Sequence, residues 1–373
     1  MVEKKLNIAM LGHKHVLSRE GGIEIVVNEL ATRMAARGHQ VTCYDRNTHH
    51  VAGDTPLDSR REVSGVKIVP VWTIEKKGLA AMTSSLSAAW KAAWGKYDVV
   101  HIHAEGPAAM SWLPKIRHKR VIVTVHGLDW ARAKWGGFAT KYIKWGEKQA
   151  VKHADEIIVL SRGVQDYFEK TYGRKTVFIP NGVSRPEPKP ADEIKKLWNL
   201  EKDSYVLFLG RIVPEKGLRY LVKAWKGINT DKKLVIAGGS SDTEAFMNEL
   251  KGMSPEDVIF TDFQQGRVLE ELYSNAYLYT LPSDLEGMPL SLLEAMSYGN
   301  CCLVSDIPEC TDVVEDKAVI FPKGNVEELR KTLQRLLDAP EKVQKYKSQA
   351  ADFICQKYNW DDVVERTLGL YTK

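Results

Sequence analysis

Two pairs of charged side chains in the second half of the chain have the types and spacing needed to bind an anion that also carries hydroxyl groups. Arg211 and Lys216 lie in LGRIVPEKG, where a strand pattern gives way to a helical one. Two cations and the N–H groups of a helix start could converge there on a diphosphate. Glu286 and Glu294 lie in PSDLEGMPLSLLEAMSYG, and carboxylates accept hydrogen bonds from vicinal hydroxyls. A nucleotide sugar would satisfy both pairs, although each residue taken singly is also typical of a solvated surface or a helix cap.

Two further candidates follow strands of the first half. Gly21 and Gly22, in SREGGIE, would let the backbone and a helix start approach an anion, or would form a plain tight turn. This is not GxGxxG, which argues against a nicotinamide dehydrogenase. His126, in VIVTVHGLDW, follows a buried strand and is as compatible with a structural role as with a functional one; Asp129 could orient it.

Alternating apolar strands and helices must position these residues. Apolar runs such as 66–71, 121–125 and 205–210, many of them rich in Val and Ile and not alternating with polar residues, predict parallel sheets covered on both faces. We predict an α/β fold of two Rossmann-like domains whose parallel sheets face each other across a cleft, with helices closing the chain. Ligands of such sheets bind beyond the carboxyl ends of the strands. The predicted boundaries are 1–182 for an acceptor-side domain, 183–203 for a proline-rich linker, 204–357 for a nucleotide-sugar-binding domain, and 358–373 for a helix that could cross back to the first domain.

Composition excludes several classes of protein. The 373 residues are 44% hydrophobic and 27% charged, as in ordinary globular chains. No uncharged apolar run reaches the roughly 18 residues of a membrane span, and the N-terminus lacks the pattern of a signal peptide. Five cysteines without CxxC spacing favour a reducing cytoplasm and predict no zinc site. No G-x-S-x-G, P-loop or H-E-x-x-H motif is present.

The charge is uneven along the chain. Residues 1–180 hold 28 basic and 17 acidic side chains, a net +11, whereas the remainder has a net charge of −6. Seven of the ten tryptophans also lie in the first half. Basic residues with interleaved aromatics can indicate nucleic acid, an anionic membrane or only a solvated face. We expect no nucleic acid, and an anionic membrane surface as a partner, through helices at 79–96 and around Trp135, Lys141, Lys144, Trp145, Lys148 and Lys152.

These motifs resemble the retaining, nucleotide-sugar-dependent glycosyltransferases of family four, which have the GT-B fold. The resemblance runs nearly from end to end and is carried by the segments EGGIE and ELATRMAARGHQVT (20–42), TVHG (124–127), ADEIIVLS (154–161), IPNGV (179–183), GRIVPEKG (210–217) and LPSDLEGMPLSLLEAMSYGNCCLVSD (281–306). The last segment is the most specific, because Glu286 and Glu294 reproduce the family's E-x7-E element. Ser184, AGGSSD (237–242) and TDFQQG (261–266) depart from the family pattern and leave the base and the sugar of the donor open.

The resemblance implies a role for each candidate. Arg211 and Lys216 would bind the donor diphosphate, Glu294 the ribose, Glu286 the transferred sugar, and His126 a sugar hydroxyl near the reacting carbon. The donor would also be bound by Gly21, Gly22, Gly210, Gly287, Met288, Pro289 and Leu290.

The implied reaction moves a hexose-type sugar to a hydroxyl with retention, and the leaving diphosphate helps to deprotonate the acceptor. The resemblance implies no metal and no cofactor. A UDP-sugar donor and a sugar or lipid-linked acceptor are the expected partners, in bacterial surface polysaccharide or glycolipid assembly, in the cytoplasm or at the inner face of the membrane. A GT-B nucleotide-sugar epimerase and a catalytically silent nucleotide-sugar-binding scaffold remain as alternatives.

Overall fold

The computed structural model describes residues 4–49, 61–76, 78–131, 137–239 and 244–373. Trp135 and the last three residues of AGGSSD, which the sequence singled out, lie outside these ranges. The chain divides into two compact units. The first comprises Met1–Asn181 with Trp360–Lys373, and the second comprises Gly182–Asn359.

The described part of the first unit contains an eight-stranded sheet. Its strands are β1 (Asn7–Leu11), β2 (Gln40–Arg46), β3 (Glu62–Val63), β4 (Val66–Val71), β5 (Val99–His103), β6 (Arg120–Val125), β7 (Glu156–Val159) and β8 (Val177–Phe178). They lie in the order β3-β4-β2-β1-β5-β6-β7-β8, and every pair is parallel except β3 with β4. The helices between them are α1 (Gly22–Ala36), α2 (Leu79–Trp94), α3 (Glu105–Ala108), α4 (Trp112–Ile116), α5 (Gly137–His153) and α6 (Arg162–Tyr172).

The second unit is built in the same way. Its described residues form a six-stranded parallel sheet in the order β11-β10-β9-β12-β13-β14, from strands β9 (Tyr205–Leu209), β10 (Lys233–Ala237), β11 (Val258–Asp262), β12 (Leu278–Leu281), β13 (Cys302–Ser305) and β14 (Val319–Phe321). Its helices are α7 (Glu193–Trp198), α8 (Leu218–Trp225), α9 (Glu244–Met253), α10 (Gly266–Asn275), α11 (Leu290–Ser297), α12 (Pro308–Val314), α13 (Val326–Leu337) and α14 (Pro340–Lys357). The last helix, α15 (Trp360–Tyr371), belongs to the first unit.

Burial on both faces explains the apolar runs of the strands. Val121, Ile122 and Val123 are consecutive in β6 and all fully buried, so that side chains pointing to both sides of the sheet meet helices. Full burial of one such side chain stabilises the fold by about 1.5–3 kcal/mol. The predicted α/β class with parallel sheets is confirmed. Across the described ranges, no helix is long and apolar enough to span a membrane.

The segment predicted as a linker, 183–203, lies within the second unit. It is not a linker without secondary structure. It contains α7, and the Glu271 carboxylate accepts the backbone N–H groups of Asp192, Glu193 and Ile194 at 3.0, 2.7 and 3.2 Å. A carboxylate from another helix therefore satisfies the first N–H groups of α7. The preceding prolines hid this short helix from a reading of the sequence.

Candidate functional site

The turn between β9 and α8 positions Arg211 and Lys216. Gly217 has φ +70°, and a Cβ there would overlap the carbonyl oxygen of Pro282 at the end of β12. Only glycine combines this left-handed conformation with so close a backbone approach. The turn is therefore held against the loop that follows β12, and Lys216 is buried at that junction.

Lys216 and Glu286 form an ion pair in this junction. Lys216 Nζ lies 2.6 Å from Glu286 Oε1, and the two side chains are only 11% and 8% exposed. The hydroxyl of Ser283 donates to the same carboxylate oxygen at 2.6 Å, and the hydroxyl of Ser305 fixes the carbonyl of Ser283 at 2.5 Å. Two of the predicted residues, 70 positions apart in the sequence, are thus in direct contact in a largely water-excluded place, where charges interact strongly.

Glu294 lies half-buried in the first turns of α11. The hydroxyl of Tyr273 donates to its Oε2 at 3.1 Å. Beside it, the hydroxyl of Tyr279 contacts the Ser291 hydroxyl at 2.9 Å and donates to the carbonyl of Leu209 at 3.2 Å. Because Leu209 ends β9, these bonds hold the start of α11 against the strand that leads to Gly210 and Arg211.

The loop that joins the two glutamates leads into the start of α11. Gly287 is buried, Met288 is half-buried, and Pro289 is the residue that precedes the helix at Leu290. The first backbone N–H groups of a helix have no partner within the helix. The carboxyl ends of β9 and β12 therefore carry these N–H donors, the ion pair of Lys216 with Glu286, and Glu294. Arg211 is half-buried in the same β9–α8 turn.

His126 follows β6 in the first unit and belongs to a cluster of histidines. Its Nε2 lies 3.1 Å from His103 Nδ1, at the end of β5. His103 in turn stacks on His101, with ring centroids 4.1 Å apart. Burial lowers the pKa of His101 to about 3 and the pKa of His103 well below its usual value. These two imidazoles are neutral at pH 7 and serve as hydrogen-bonding groups without charge.

Sequence reasoning missed His103 and His13. Gly12, with φ +109°, approaches the carbonyl of His103 so closely that a Cβ would overlap it, which brings the end of β1 beside the end of β5. His13 Nε2 is 2.8 Å from Asp45 Oδ1. Among the described residues, His13 Nδ1 and His103 Nε2 are buried without a hydrogen-bond partner. Their positions in the sequence could have indicated them, because polar residues that end or directly follow buried strands lie at the edge of such sheets where ligands bind.

Gly21 and Gly22 lie at the start of α1, as the sequence predicted for a helix start. Gly21 precedes the helix in extended backbone, φ −159°, and Gly22 is its first residue. Glu24, in the first turn, accepts the backbone N–H of Lys14 at 2.9 Å. Burial acts to raise the pKa of Glu24, but backbone hydrogen bonds from Lys14 and Glu24, together with the charges of Lys14 and His13, outweigh burial and leave the pKa below its usual value.

A buried pair of glutamates supports the loop that carries His126. Glu105 accepts the backbone N–H of Asp129 at 2.8 Å, and Glu147 accepts the hydroxyls of Tyr167 and Tyr172 at 3.0 and 2.6 Å. Burial and the Asp129 charge raise the pKa of Glu105 well above its usual value, and the neighbouring Glu147 adds to this effect. The raised pKa favours the protonated, uncharged form of Glu105, which is compatible with its full burial. Nothing in the sequence pattern indicated this pair.

Metal-ligating side chains are not grouped in the described ranges: no three His, Cys, Asp or Glu side chains there are arranged to hold a metal ion.

Comparison with known proteins matches both units. The profile of Glycosyltransferase Family 4 matches residues 20–185, and that of Glycosyl transferases group 1 matches residues 190–353. Alpha-maltose-1-phosphate synthase of Mycolicibacterium smegmatis is 24% identical over 281 residues, which cover 68% of this chain and 72% of that protein.

Solved structures share the fold over nearly the whole chain. Sucrose-phosphate synthase of Thermosynechococcus elongatus superposes with a TM-score of 0.83 at 21% identity, covering 99% of this chain and 98% of the other. HepE of Anabaena, solved in complex with UDP-glucose, superposes with a TM-score of 0.79 at 16% identity, covering 98% and 99%. With two consecutive family profiles along most of its length, the protein belongs to the family-four glycosyltransferases of the GT-B fold.

Proposed function

We propose that the protein transfers a hexose-type sugar from a nucleotide-diphosphate donor to a hydroxyl acceptor, with retention of the anomeric configuration. The observation that carries this proposal is the buried 2.6 Å ion pair of Lys216 and Glu286. It joins the cationic turn after β9 to the E-x7-E loop after β12, so that groups suited to a diphosphate and groups suited to sugar hydroxyls lie side by side in one unit.

The donor is a nucleotide sugar, with UDP favoured because HepE, which shares the fold, was solved with UDP-glucose. In this proposal Arg211 and Lys216 bind the diphosphate, Glu294 the ribose hydroxyls and Glu286 a hydroxyl of the transferred sugar. Gly21, Gly22, Gly287, Met288 and Leu290 contribute backbone N–H groups, and Gly210 and Pro289 line the donor. His126 donates to or accepts from a sugar hydroxyl.

Negative charge develops on the diphosphate oxygen as the bond to the sugar breaks. Lys216 is held in place by Glu286 before the donor arrives, so that little reorganisation is needed when this charge appears. Interactions that strengthen in the transition state accelerate the reaction. The departing diphosphate accepts the proton of the acceptor hydroxyl on the same face of the sugar. The two cations supply the neutralisation, and the proposed reaction requires no metal ion.

The acceptor is a sugar or a lipid-linked sugar in bacterial surface polysaccharide or glycolipid assembly. With it we propose a cytoplasmic protein that binds the inner face of the membrane. The net charge of +11 on residues 1–180 supports this partner, because basic surfaces attract anionic lipid.

A screen of UDP-, GDP- and dTDP-sugars for release of the nucleoside diphosphate tests the proposal. We expect turnover with one donor, and the anomeric configuration of its product, read by NMR, should match that of the donor. A new nucleotide-sugar epimer without diphosphate release would instead support the epimerase. Donor binding without any turnover, across acceptors, would support the silent scaffold.

A further inference from the structure

Helix α2 exposes its large apolar side chains to solvent and buries its small side chains against the rest of the first unit. Its buried face consists of small residues, namely Ser84, Ser85, Ala88, Ala89, Ala92 and Ala93. The large residues point outward: Leu79 is 41%, Leu86 44%, Trp90 54% and Trp94 49% exposed. Their spacing of seven, four and four residues places them on one face of the helix. An ordinary surface helix has the opposite arrangement.

The exposed residues form one patch, which we call the tryptophan patch. It comprises Leu79, Leu86, Trp90, Trp94 and, at the end of α4, Ile116, which is 56% exposed. The rings of Trp90 and Trp94 stack with centroids 4.0 Å apart. A single exposed apolar side chain needs no explanation, but a contiguous set indicates an interaction surface.

The charged side chains on and next to the two helices that carry the patch are basic. Arg117 lies over the Trp94 ring, 5.6 Å from its centroid, and Lys91 and Lys96 are exposed on and just beyond α2. Residues 76–96 and 106–128, which include α2 and α4, contain no Asp or Glu. Tryptophan beside lysine and arginine is the composition that favours the boundary between headgroups and acyl chains.

We propose that the tryptophan patch docks on an anionic lipid surface, with Trp90 and Trp94 entering the interface and Lys91 and Arg117 pairing with lipid phosphates. A second copy of the chain is the less suitable occupant, since a two-fold interface would bring the same positive charges together. The purpose of docking rests on the proposed function, because a lipid-linked acceptor is reached at a membrane. The surface itself is argued from the first unit alone.

Flotation with vesicles tests the surface directly. Full-length protein is mixed with vesicles of phosphatidylglycerol and phosphatidylcholine, or of phosphatidylcholine alone, at low and high salt. We expect flotation with the anionic vesicles at low salt, and at least a tenfold smaller bound-to-free ratio after Trp90→Ser with Trp94→Ser. Lys91→Glu with Arg117→Glu should give a similar loss that is largest at low salt. Leu197→Ser, at a residue 56% exposed in the second unit, is the matched control and should leave flotation unchanged.

The outcomes separate the surface from the reaction. Donor turnover by wild-type protein that does not float would overturn the docking surface and leave the glycosyltransferase proposal intact. Undiminished flotation of the tryptophan variant would overturn it also. Concentration-dependent dimers that the tryptophan variant abolishes, without vesicle binding, would assign the patch to a second copy. Wild-type protein could also float without turning over any donor, while the variants do not float. That result would support the docking surface and contradict the proposed function. Thermal unfolding of each variant verifies that the fold is retained.

Discussion

The two units place different chemistry at the carboxyl ends of similar parallel sheets. In the second unit, charged groups are paired in contact, as in Lys216 with Glu286. In the first unit, imidazoles are stacked and buried, and burial keeps His101 and His103 uncharged. One fold therefore places a charged pair after the strands of one unit and uncharged imidazoles at the end of β5 in the other, depending on which side chains its strands carry there.

The contrast indicates which ligand groups the side chains of each unit are suited to bind. A buried cation beside a carboxylate suits a diphosphate and a sugar hydroxyl that need charge opposite them. Neutral imidazoles suit hydroxyl groups, which require donors and acceptors but no counter-charge. We expect substitutions in the second unit to affect catalysis far more strongly than those in the first.

The largest effect is expected from the cations of the second unit. Lys216→Ala and Arg211→Ala should each lower kcat by about 10²–10³, because each removes a preorganised partner of the leaving group. Steady-state kinetics with the cognate donor measures this. The exposed Lys223, on α8, provides the control Lys223→Ala, which should retain activity. Near wild-type turnover by either cation variant would refute the diphosphate assignment.

The Lys216 variant carries a second consequence, for stability. It leaves Glu286 as a largely buried, uncompensated charge, and removing one partner of such a pair costs about 3–5 kcal/mol. Lys216→Ala combined with Glu286→Gln should recover much of this stability but none of the activity. Chemical denaturation compares the two variants. Equal stability of the single and the double variant would show that the pair does not carry the expected energy.

A smaller effect is expected in the first unit. His126→Ala should lower kcat/KM about tenfold, since one hydrogen bond contributes roughly 0.5–1.5 kcal/mol. His103→Ala should lower it less, because His103 acts through its 3.1 Å contact with His126. His153→Ala, at the end of α5 and away from the strand ends, is the control. A loss of kcat/KM in His126→Ala as large as that in Lys216→Ala would mean that the first unit contributes a charged group to catalysis.

The glutamate pair beneath the His126 loop should make stability depend on pH. The raised pKa of Glu105 means that its contribution to stability is fully present below the usual glutamate value. That contribution is lost as the pH rises toward the folded-state pKa, since unfolding then releases a proton. Glu105→Gln keeps the neutral shape and should gain stability over wild type by up to about 1.4 kcal/mol per pH unit in that window. Denaturation midpoints at several pH values measure the difference, and a difference that stays constant with pH would contradict the raised pKa of Glu105.

The smallest effect is expected from chelation. Because Arg211 and Lys216 are proposed to neutralise the diphosphate, EDTA should leave turnover unchanged. Turnover is measured before and after chelation and after adding back Mg²⁺ or Mn²⁺. Abolition by EDTA with recovery on metal addition would show that the second unit needs more positive charge than its side chains supply.

Periodicity predicted the sheets because their strands are buried on both faces and read as continuous apolar runs. It missed β3 and β14, of two and three residues, which are too short to carry a pattern. In the second unit, the sequence placed Lys216 and Glu286 each after a strand. It could not show that the two side chains form an ion pair, because their contact depends on the close approach of Gly217 to Pro282.

In the first unit, spacing could not show which face of a helix is covered. The pattern of α2 predicted a helix with interleaved tryptophans but not that its alanines are buried and Trp90 is exposed. The pairing of Glu105 with Glu147 depends on how α5 packs near α3, and acidic residues give no apolar signal that would reveal it.

The last helix of the chain completes the unit that is synthesised first. The hydroxyl of Tyr371 lies 2.6 Å from His101 Nδ1, Arg120 donates to the carbonyl of Leu370 at 2.7 Å, and Arg33 contacts Asp361 at 3.1 Å. On the ribosome, residues 1–181 therefore emerge without the segment that satisfies these groups. The second unit is contiguous in sequence, so that its folding does not depend on this helix. Until α15 has been synthesised, β6 and α1 lack contacts that complete the folded first unit.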